Sequence, residues 1–235
     1  MKIVGLQKLT LLDFPGKVAC TVFLGGCNFR CPFCHNSDLL DGKAASLMDE
    51  VAFLEFLKKR TGLLDAVCVT GGEPTLQPQL PQFLKSIKDL GFLVKLDTNG
   101  YRPDVLQALV EAGLVDYVAM DVKNSPSQYA STTGLSGIDM KRIEQSLQYL
   151  MRSSIDHEFR TTVVEEFHSE ASILEMGRWL SSLAEPKKPA KLFLQCFVGR
   201  ESVLQNGLHA PQVKTLEKYV EILEPYVEKI ALRGV

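Results

Sequence analysis

The chain has 235 residues, of which 46% are hydrophobic and 23% are charged, a composition close to that of an average soluble globular protein. Its 26 Lys and Arg residues against 28 Asp and Glu residues leave a formal net charge of −2, so no basic surplus predicts a nucleic-acid partner. No apolar run approaches the roughly 18–20 residues of a membrane span. The polar residues Gln7, Lys8 and Asp13 interrupt the apolar core that a signal peptide would need. We therefore predict a cytoplasmic protein without membrane contacts.

Seven short apolar segments alternate along the chain with stretches in which apolar residues recur at helical spacing. The predicted strands are residues 18–24, 66–70, 93–96, 117–120, 159–164, 191–196 and 229–232. A helix should follow each of the first six strands, and the first apolar residues of these helices are Val51, Leu80, Val105, Ile143, Ile173 and Val213. This alternation indicates parallel strands that are joined by right-handed crossovers.

The predicted strands are continuous apolar runs, as expected when other elements cover both faces of a sheet. Six strand–helix units and a terminal strand fall short of the eight units that close a barrel. No long linker divides the chain, so we predict a single domain over residues 1–235 with an N-terminal extension at residues 1–17. The predicted fold class is α/β, a partial (β/α)6 barrel with parallel strands and helices outside. An open doubly wound sheet is the alternative, because periodicity does not separate the two.

Three of the six cysteines lie within eight residues, directly after the first predicted strand. We define the cysteine loop as residues 24–36, which include Cys27, Cys31 and Cys34. Three thiolates this close can converge on one iron–sulfur cluster, and without a fourth cysteine nearby one iron would keep an open coordination position. Three alternatives remain. His35 completes a C-x-x-C-H haem-attachment pattern and could also complete a zinc site, and the third alternative is that the three thiols are buried without a ligand. The remaining cysteines lie singly in apolar runs and are expected to be small buried side chains: Cys20, Cys68 and Cys196.

Polar motifs follow the second, third and fourth predicted strands. They are Gly71-Gly72-Glu73-Pro74, Asp97-Thr98-Asn99-Gly100 and Asp121-Val122-Lys123. Paired glycines let a backbone approach a ligand closely, and a carboxylate beside them can accept from an amine, although each motif alone is also typical of a turn or a strand end. The carboxyl ends of parallel strands form one ligand-binding face. We therefore expect the cysteine loop and the three motifs to lie on that face.

These motifs resemble those of the radical S-adenosylmethionine (SAM) enzymes. The family's loop of three cysteines, CxxxCxφC with an aromatic residue at φ, matches Cys27, Cys31, Phe33 and Cys34. The GGEP motif of the family matches residues 71–74. Within the family, the chain looks like the activating enzymes of glycyl radical enzymes, through Cys34-His35-Asn36 and the motifs at residues 97–100 and 121–123. Residues 5–8 and 13–17 are similar to the branch that activates anaerobic ribonucleoside-triphosphate reductase.

The resemblance implies roles for individual residues. Cys27, Cys31 and Cys34 would hold one 4Fe–4S cluster, whose open iron takes the amino and carboxylate groups of SAM. Phe33 would pack against the adenine, or else fill the core, and Gly71, Gly72 and Glu73 would receive the methionine amino group. The other implied cofactor-binding residues are His35, Asp97, Asn99, Asp121, Lys123 and Arg160. A monovalent cation would lie near Asp97 and Asp121, and the alternative role of Arg160 is a buried structural ion pair.

The activity that the resemblance implies is reductive cleavage of SAM to methionine and a 5′-deoxyadenosyl radical, which takes hydrogen from a glycine of a partner protein. The cluster and SAM carry this chemistry, and the sequence assigns no catalytic role to a particular side chain. The implied partners are a glycyl radical enzyme and a flavodoxin- or ferredoxin-type electron donor. Phe197, where similarity to pyruvate formate-lyase activase would suggest histidine, favours anaerobic ribonucleotide reductase as the partner.

Three other functions remain open at this point. The first is a pyruvate formate-lyase-type activase, and the second is a radical SAM enzyme that acts on a small molecule or peptide. Both would share every cluster and SAM residue with the favoured function. The third is an iron–sulfur or zinc binding module without catalysis, which would leave the strand-end motifs unexplained. Metal content together with SAM binding would separate the binding module from the enzymes.

Overall fold

The computed structural model describes residues 1–235, which form nine strands and seven α-helices. The strands are β1 (Lys2–Thr10), β2 (Ala19–Leu24), β3 (Met48–Asp49), β4 (Ala66–Gly71), β5 (Leu93–Thr98), β6 (Tyr117–Asp121), β7 (Asp156–Val163), β8 (Lys191–Cys196) and β9 (Lys229–Arg233). The helices are α1 (Glu50–Lys58), α2 (Leu80–Asp89), α3 (Pro103–Glu111), α4 (Tyr129–Thr133), α5 (Met140–Arg152), α6 (Glu170–Ala184) and α7 (Val213–Leu223). All seven predicted strands and all six predicted helices are confirmed, and the short helix α4 is an addition.

The nine strands form one sheet in the order β3-β1-β2-β4-β5-β6-β7-β8-β9. The pairs β2–β4, β4–β5, β7–β8 and β8–β9 are parallel, as the alternation of strands and helices predicts. The sheet is open, with β3 and β9 at its edges, which confirms an α/β fold with fewer units than a closed barrel.

The N-terminal extension contains a strand that the sequence did not predict. Strand β1 pairs antiparallel with both β2 and β3. Its exposed residues include Gln7 and Lys8, whereas Ile3 is fully buried. A strand that is partly exposed to solvent needs no continuous apolar run, so the apolar runs of the sequence do not predict β1.

The chain divides into two compact units. The first unit comprises residues 1–28 and 38–119, and the second comprises residues 29–37 and 120–235. The division falls within the cysteine loop, so residues 24–28 belong to the first unit and residues 29–36 to the second.

The first unit buries the apolar faces of its helices against its strands. Helix α2 has proline in its first turn, which favours helix initiation, and its fully buried residues follow helical spacing: Leu80, Phe83, Leu84 and Ile87. Phe14, in the β1–β2 connection, belongs to a buried cluster that includes Ala66 and Tyr117. Ala66 and Tyr117 are the first residues of β4 and β6, so this cluster lies at the amino ends of the strands, away from the motifs at their carboxyl ends.

The second unit follows the same pattern with helices α5, α6 and α7. Helix α6 begins with a capping box, in which Ser169 and Ser172 each accept from the other's backbone amide. The fully buried residues of this unit include Phe159 on β7 and Leu192 on β8. None of the chain's helices combines the length and the apolar composition needed to cross a membrane.

Candidate active site

The predicted motifs of the first unit lie at one edge of its sheet. Strand β2 leads into the cysteine loop, β4 into the Gly-Gly-Glu-Pro motif, and β5 into the Asp-Thr-Asn-Gly motif. Because β2, β4 and β5 are parallel neighbours, their carboxyl ends share one edge. The expectation of a common face is therefore confirmed for these three segments.

The two glycines after β4 lie against the backbone of the cysteine loop. A Cβ atom on Gly71 would come within 3.0 Å of Leu24 backbone atoms, and one on Gly72 within 3.0 Å of the Gly26 carbonyl. Gly71 also has a φ of +124°, a conformation that only glycine adopts readily. The amides of Gly72 and Glu73 donate to the carbonyls of Leu24 and Gly26, at 2.8 Å each. The sequence predicted a close approach to a ligand, and the structure shows a close approach to the cysteine loop.

Three further hydrogen bonds hold the same part of the loop. The amides of Gly26 and Cys27 donate to the carbonyls of residues 39 and 40, at 2.6 and 3.1 Å. The Nε2 atom of Gln77 donates to the Gly25 carbonyl at 2.7 Å. The backbone that carries Cys27 is thus fixed by segments that follow β2 and β4.

Glu73 is buried, and hydrogen-bond donors of the protein surround its carboxylate. Its Oε1 atom accepts from the amide and hydroxyl of Thr75 and from the hydroxyl of Thr98. Its Oε2 atom accepts from the Asn99 amide at 2.7 Å. Burial raises the pKa of the Glu73 carboxyl, and these donors oppose that rise. Glu73 therefore joins the ends of β4 and β5, a role that the sequence did not predict.

Asn99 connects the end of β5 to the cysteine loop. Its Nδ2 atom donates to Oδ1 of Asn28 at 2.8 Å and lies 3.9 Å from the Sγ atom of Cys27. Its Oδ1 atom accepts from the Tyr101 amide at 3.0 Å, which fixes the orientation of the side chain. An N–H group near a cluster sulfur is one of the features that tune iron–sulfur centres.

Asp97 forms an ion pair with Lys95, which precedes it by two residues and therefore lies on the same face of β5. The Lys95 side chain is 2% exposed and that of Asp97 is 16% exposed. No sequence motif marks Lys95, because it lies within a predicted apolar strand. A charge inside such a run is unusual unless it is paired, and that is the signal that could have identified it.

In the second unit, Asp121 ends β6 and pairs with two cationic side chains. Its Oδ1 atom accepts from Nε and Nη2 of Arg160 at 3.0 Å, and its Oδ2 atom accepts from Nζ of Lys123 at 2.8 Å. Desolvation opposes ionisation of the Asp121 carboxyl, but Lys123 and Arg160 outweigh it and lower its pKa to about 2. Desolvation likewise opposes the charged form of Lys123, whose pKa Asp121 nevertheless raises. Two cationic side chains thus hold one carboxylate at the end of β6.

Three buried side chains without a sequence motif hold the backbone of residues 121–123. The hydroxyl of Tyr129, the hydroxyl of Thr161 and Nε2 of His168 donate to the carbonyls of residues 121, 122 and 123, at 3.4, 2.8 and 3.0 Å. Nδ1 of His168 accepts from the Val164 amide at 3.1 Å, which leaves the proton on Nε2. No spacing pattern marks these residues, because tertiary hydrogen bonds alone give them their role.

The second part of the cysteine loop, residues 29–36, contacts the end of helix α4. The amide of Arg30 donates to the Thr133 carbonyl at 2.8 Å. Gly134, which ends the helix, has a φ of +68°, and a Cβ atom there would come within 3.0 Å of the Arg30 carbonyl. Gly134 thus combines a left-handed backbone with a close approach to the loop.

The segment after β8 holds the end of the cysteine loop. The ring of His35 stacks on Phe197 with centroids 5.5 Å apart, and its Nε2 atom lies 2.7 Å from the Val198 carbonyl. The hydroxyl of Ser202 donates to the His35 carbonyl at 2.9 Å. Two further hydrogen bonds join Ser37 to Ser202 and Gln205 to Pro32. We define the β8 strap as residues 197–205.

Phe33 and the two cysteines around it lie among groups of the second unit. Phe33 is buried, with its ring centroid 5.9 Å from that of Phe167. Burial raises the pKa of the Cys34 thiol, and the positive charge of Lys123 opposes the rise. Negative charge on Cys31 in turn favours the charged form of Lys123. Because metal ligands must be thiolates, a neighbouring ammonium favours the ligand form.

The cysteines fit an iron–sulfur cluster by their chemistry. All six cysteines are free thiols, and soft thiolates are the donors that cluster irons prefer. No group of three or more His, Cys, Asp or Glu side chains meets at a single metal-ion position. Each cysteine of a 4Fe–4S cluster binds a different iron, so its sulfurs need not meet at one point, as zinc ligands do.

Comparison with known proteins identifies the family. The radical SAM superfamily profile matches residues 21–180. A Methanocaldococcus jannaschii protein named as a glycyl-radical enzyme activating enzyme is 30% identical over 98% of this chain and 95% of the relative. The chain belongs to the radical SAM superfamily and to its glycyl-radical enzyme activating enzymes. Pyruvate formate-lyase 1-activating enzyme of Escherichia coli K12 is 27% identical over 97% of both chains. Family membership implies a 4Fe–4S cluster and SAM.

Solved structures of other proteins share the fold. SuiB from Streptococcus suis has a TM-score of 0.69 at 13% identity and covers 91% of this chain, which spans 48% of SuiB. The enzyme anSMEcpe with bound AdoMet has a TM-score of 0.61 at 15% identity, covering 86% of this chain and 58% of its own. At these identities the likeness shows the fold alone, and it confirms the predicted partial barrel. Membership of a family of enzymes sets the binding-module alternative aside.

Proposed function

We propose that this radical SAM enzyme activates anaerobic ribonucleoside-triphosphate reductase. When bound and reduced, the 4Fe–4S cluster supplies one electron that cleaves SAM into methionine and a 5′-deoxyadenosyl radical. Transfer of a hydrogen atom from the Cα of one glycine in the reductase to that radical would then leave 5′-deoxyadenosine and a glycyl radical. A flavodoxin- or ferredoxin-type donor replaces the electron.

In this proposal, Cys27, Cys31 and Cys34 are the cluster ligands. The observation that carries it is the extent to which the cysteine loop is fixed in both units. Gly71 and Gly72 fix the loop before Cys27, and Gly134 fixes it before Cys31. Fixed backbone determines where the thiolates lie, and such supporting contacts are as important to a metal site as the ligands.

The residues of the first unit are proposed to hold the amino end of SAM. The backbone of Gly71 and Gly72 and the Oε2 atom of Glu73 would accept from the methionine ammonium group. Glu73 has a second role, because its hydrogen bonds keep the ends of β4 and β5 together. Asn99 would orient Cys27 through its Nδ2 atom.

Lys123, Arg160 and Phe33 are proposed as further SAM-binding residues. Lys123 and Arg160 both pair with Asp121, and such cationic donors suit a carboxylate ligand. Phe33 would offer a ring face to the adenine, and its contact with Phe167 would keep that ring in place. His35 would hold the loop after Cys34 through its contacts with the β8 strap.

The SAM half of this proposal is tested on anaerobically reconstituted protein. Dithionite and SAM are added, and 5′-deoxyadenosine is quantified for the wild type, Cys31→Ala and Cys196→Ala. We expect product from the wild type and from Cys196→Ala, whose thiol lies outside the cysteine loop, and no product above background from Cys31→Ala. No product from wild-type protein with a full complement of iron would overturn the proposed activity.

The partner is tested by electron spin resonance after incubation with purified glycyl radical enzymes. We expect a glycyl radical on anaerobic ribonucleoside-triphosphate reductase and none on pyruvate formate-lyase. A radical on pyruvate formate-lyase alone would overturn the choice of partner. The chain would then act on the same enzyme as the 27% identical pyruvate formate-lyase 1-activating enzyme is named for. A radical on neither enzyme, with 5′-deoxyadenosine still formed, would favour a small-molecule or peptide substrate.

A further inference from the structure

Lys95 is a buried cation beneath the predicted SAM site. Its side chain is 2% exposed and lies within a strand that is buried on both faces. In the sheet register, Lys95 is opposite Cys68 of β4, which is opposite Thr21 of β2. Opposed residues of parallel strands point to the same face. Lys95 is therefore the charged member of an interior row of three side chains.

The ammonium group of Lys95 pairs with Asp97, which lies nearer the carboxyl end of β5. Asp97 is 16% exposed, so the carboxylate is the more accessible member of the pair. Exchanging such a buried pair for apolar side chains often costs no stability. Stability alone therefore does not explain a lysine at this position. Its placement of a fixed positive charge next to the Asp97 carboxylate explains it better.

A charge count for each carboxylate leaves no need for an added cation. Asp97 has the ammonium of Lys95. Asp121, in the other unit, has both Lys123 and Arg160. An alkali-metal ion at either carboxylate would lie close to an existing positive charge, and like charges at such distances repel strongly where water is scarce.

We propose that Lys95 is a built-in counterion that takes the place of an alkali-metal ion at Asp97, so that this enzyme binds SAM without one. Lys95 is then a positioning residue: its ammonium holds the Asp97 carboxylate, and Asp97 faces the cofactor. The expectation of a monovalent cation near Asp97 and Asp121 is replaced by the protein's own cations. This inference rests on the proposed function, because it concerns the same SAM site.

The test is SAM binding, which is independent of turnover. Protein with a reconstituted cluster is dialysed to equilibrium with labelled SAM in sodium, potassium or tetramethylammonium chloride at equal ionic strength. For the wild type we expect dissociation constants that agree within about twofold across the three salts, since no alkali ion is part of the site. A weakening of about tenfold or more in tetramethylammonium would overturn the proposal.

Variants of Lys95 sharpen the test. Lys95→Met should weaken SAM binding by about tenfold, the effect of losing one well-placed charge interaction, and sodium or potassium should restore part of it. Lys95→Arg keeps the charge and should stay within about threefold of the wild type. The matched control is Lys58→Met, which removes an exposed lysine that is paired with Glu55 and should change neither the affinity nor its salt response.

The outcomes separate this inference from the proposed function. Circular dichroism and thermal unfolding show whether Lys95→Met is folded. If it is not, the wild-type salt series and Lys95→Arg decide. Unchanged SAM affinity in folded Lys95→Met would overturn the role of Lys95, while the proposed function would stand. Absence of SAM binding by the wild type in every salt, with full iron content, would instead overturn the proposed function.

Discussion

The two parts of the cysteine loop are fixed by different kinds of contact. Residues 24–28 are held mainly by backbone groups, through close approach of Gly71 and Gly72 and through amide–carbonyl hydrogen bonds. Residues 29–36 are also held by side chains, through the stacking of His35 on Phe197 and the hydroxyl of Ser202. A side chain added at one of these glycines would clash with backbone, whereas a substitution in the β8 strap removes one side-chain contact and leaves the others in place. We therefore expect substitutions to be more harmful around the first part than around the β8 strap.

Asp97 and Asp121, at the ends of β5 and β6, differ in where their cationic partners come from. Asp97 pairs with a cation from a residue in its own strand, Lys95. Asp121 has two, and one of them, Arg160, comes from another strand. A pair within one strand is set by sequence spacing, while a pair between strands requires the sheet. The first is a local feature and the second is a tertiary one.

The largest expected effect is that of Gly71→Ala. The new methyl group would overlap the Leu24 backbone, and φ is +124° at this position. We expect the free energy of unfolding to fall by about 3 kcal/mol or more, and the reconstituted protein to retain less of its cluster. Urea unfolding and iron content per chain measure both. Gly25→Ala is the matched control, because its Cβ would meet Val4 at an ordinary 3.5 Å. Equal losses in the two variants would contradict the special role of Gly71.

Gly134→Ala tests whether the second part of the loop depends on a glycine as the first part does. The variant forces a left-handed alanine at φ +68° and a contact with the Arg30 carbonyl. We expect a loss of about 2–3 kcal/mol in urea unfolding. Gly137→Ala, with open space around its Cβ position, should change stability by less than about 0.5 kcal/mol. If Gly134→Ala matched this control, the contact between α4 and the loop would not be needed.

Acid unfolding probes the charge group around Asp121. Its pKa is lowered from 3.8 to about 2 in the folded protein, so its ionisation stabilises the fold above pH 4 and this contribution is lost between about pH 4 and pH 2. The free energy of unfolding of the wild type should fall over this pH range. We expect the fall to be smaller in Asp121→Asn, by up to about 2 kcal/mol. Urea unfolding at several pH values measures the slope. Asp104→Asn, at an exposed pair with Arg102, should leave the slope nearly unchanged, and an equal effect of both variants would contradict this account.

The smallest expected effect is that of Ser202→Ala in the β8 strap. The variant removes one hydrogen bond to the His35 carbonyl, worth about 1 kcal/mol. We expect a modest loss of stability and faster loss of iron from the reconstituted protein in the presence of a chelator. Ser182→Ala removes an exposed hydroxyl that donates to a helical carbonyl, and iron loss should not change. Unaltered iron loss in Ser202→Ala would show that the strap does not support the loop.

The sequence predicted the elements that depend on local patterns. Apolar runs and helical spacing located seven of the strands and six of the helices to within a few residues. Strand β1 was missed because its polar residues face solvent, and α4 because it has only five residues. The spacing of apolar residues predicts an element only where that element is long and buried.

The candidate site was predicted in part. The residues of the three strand-end motifs were identified by type and position, and β2, β4 and β5 bring the motifs of the first unit to one edge. The second role of Glu73, as a joint between strands, was not predicted. Tyr129 and His168 were not predicted either, because they act through partners that tertiary contacts supply. Lys95 was not predicted because it lies within an apolar run, although its partner Asp97 is only two residues away.

The sequence by itself determined the chemistry of this protein. The three thiols in one loop, the glycine pair and the charged residues at the strand ends indicate the cofactors that the family uses. The tertiary structure alone decided what holds that chemistry in place. It placed Gly134 against Arg30, Ser202 against His35, and Arg160 against Asp121. The physical reason is that a ligand is recognised by the type of its atoms, which sequence records directly. A supporting contact depends on distance, and folding sets the distance between residues far apart in the chain.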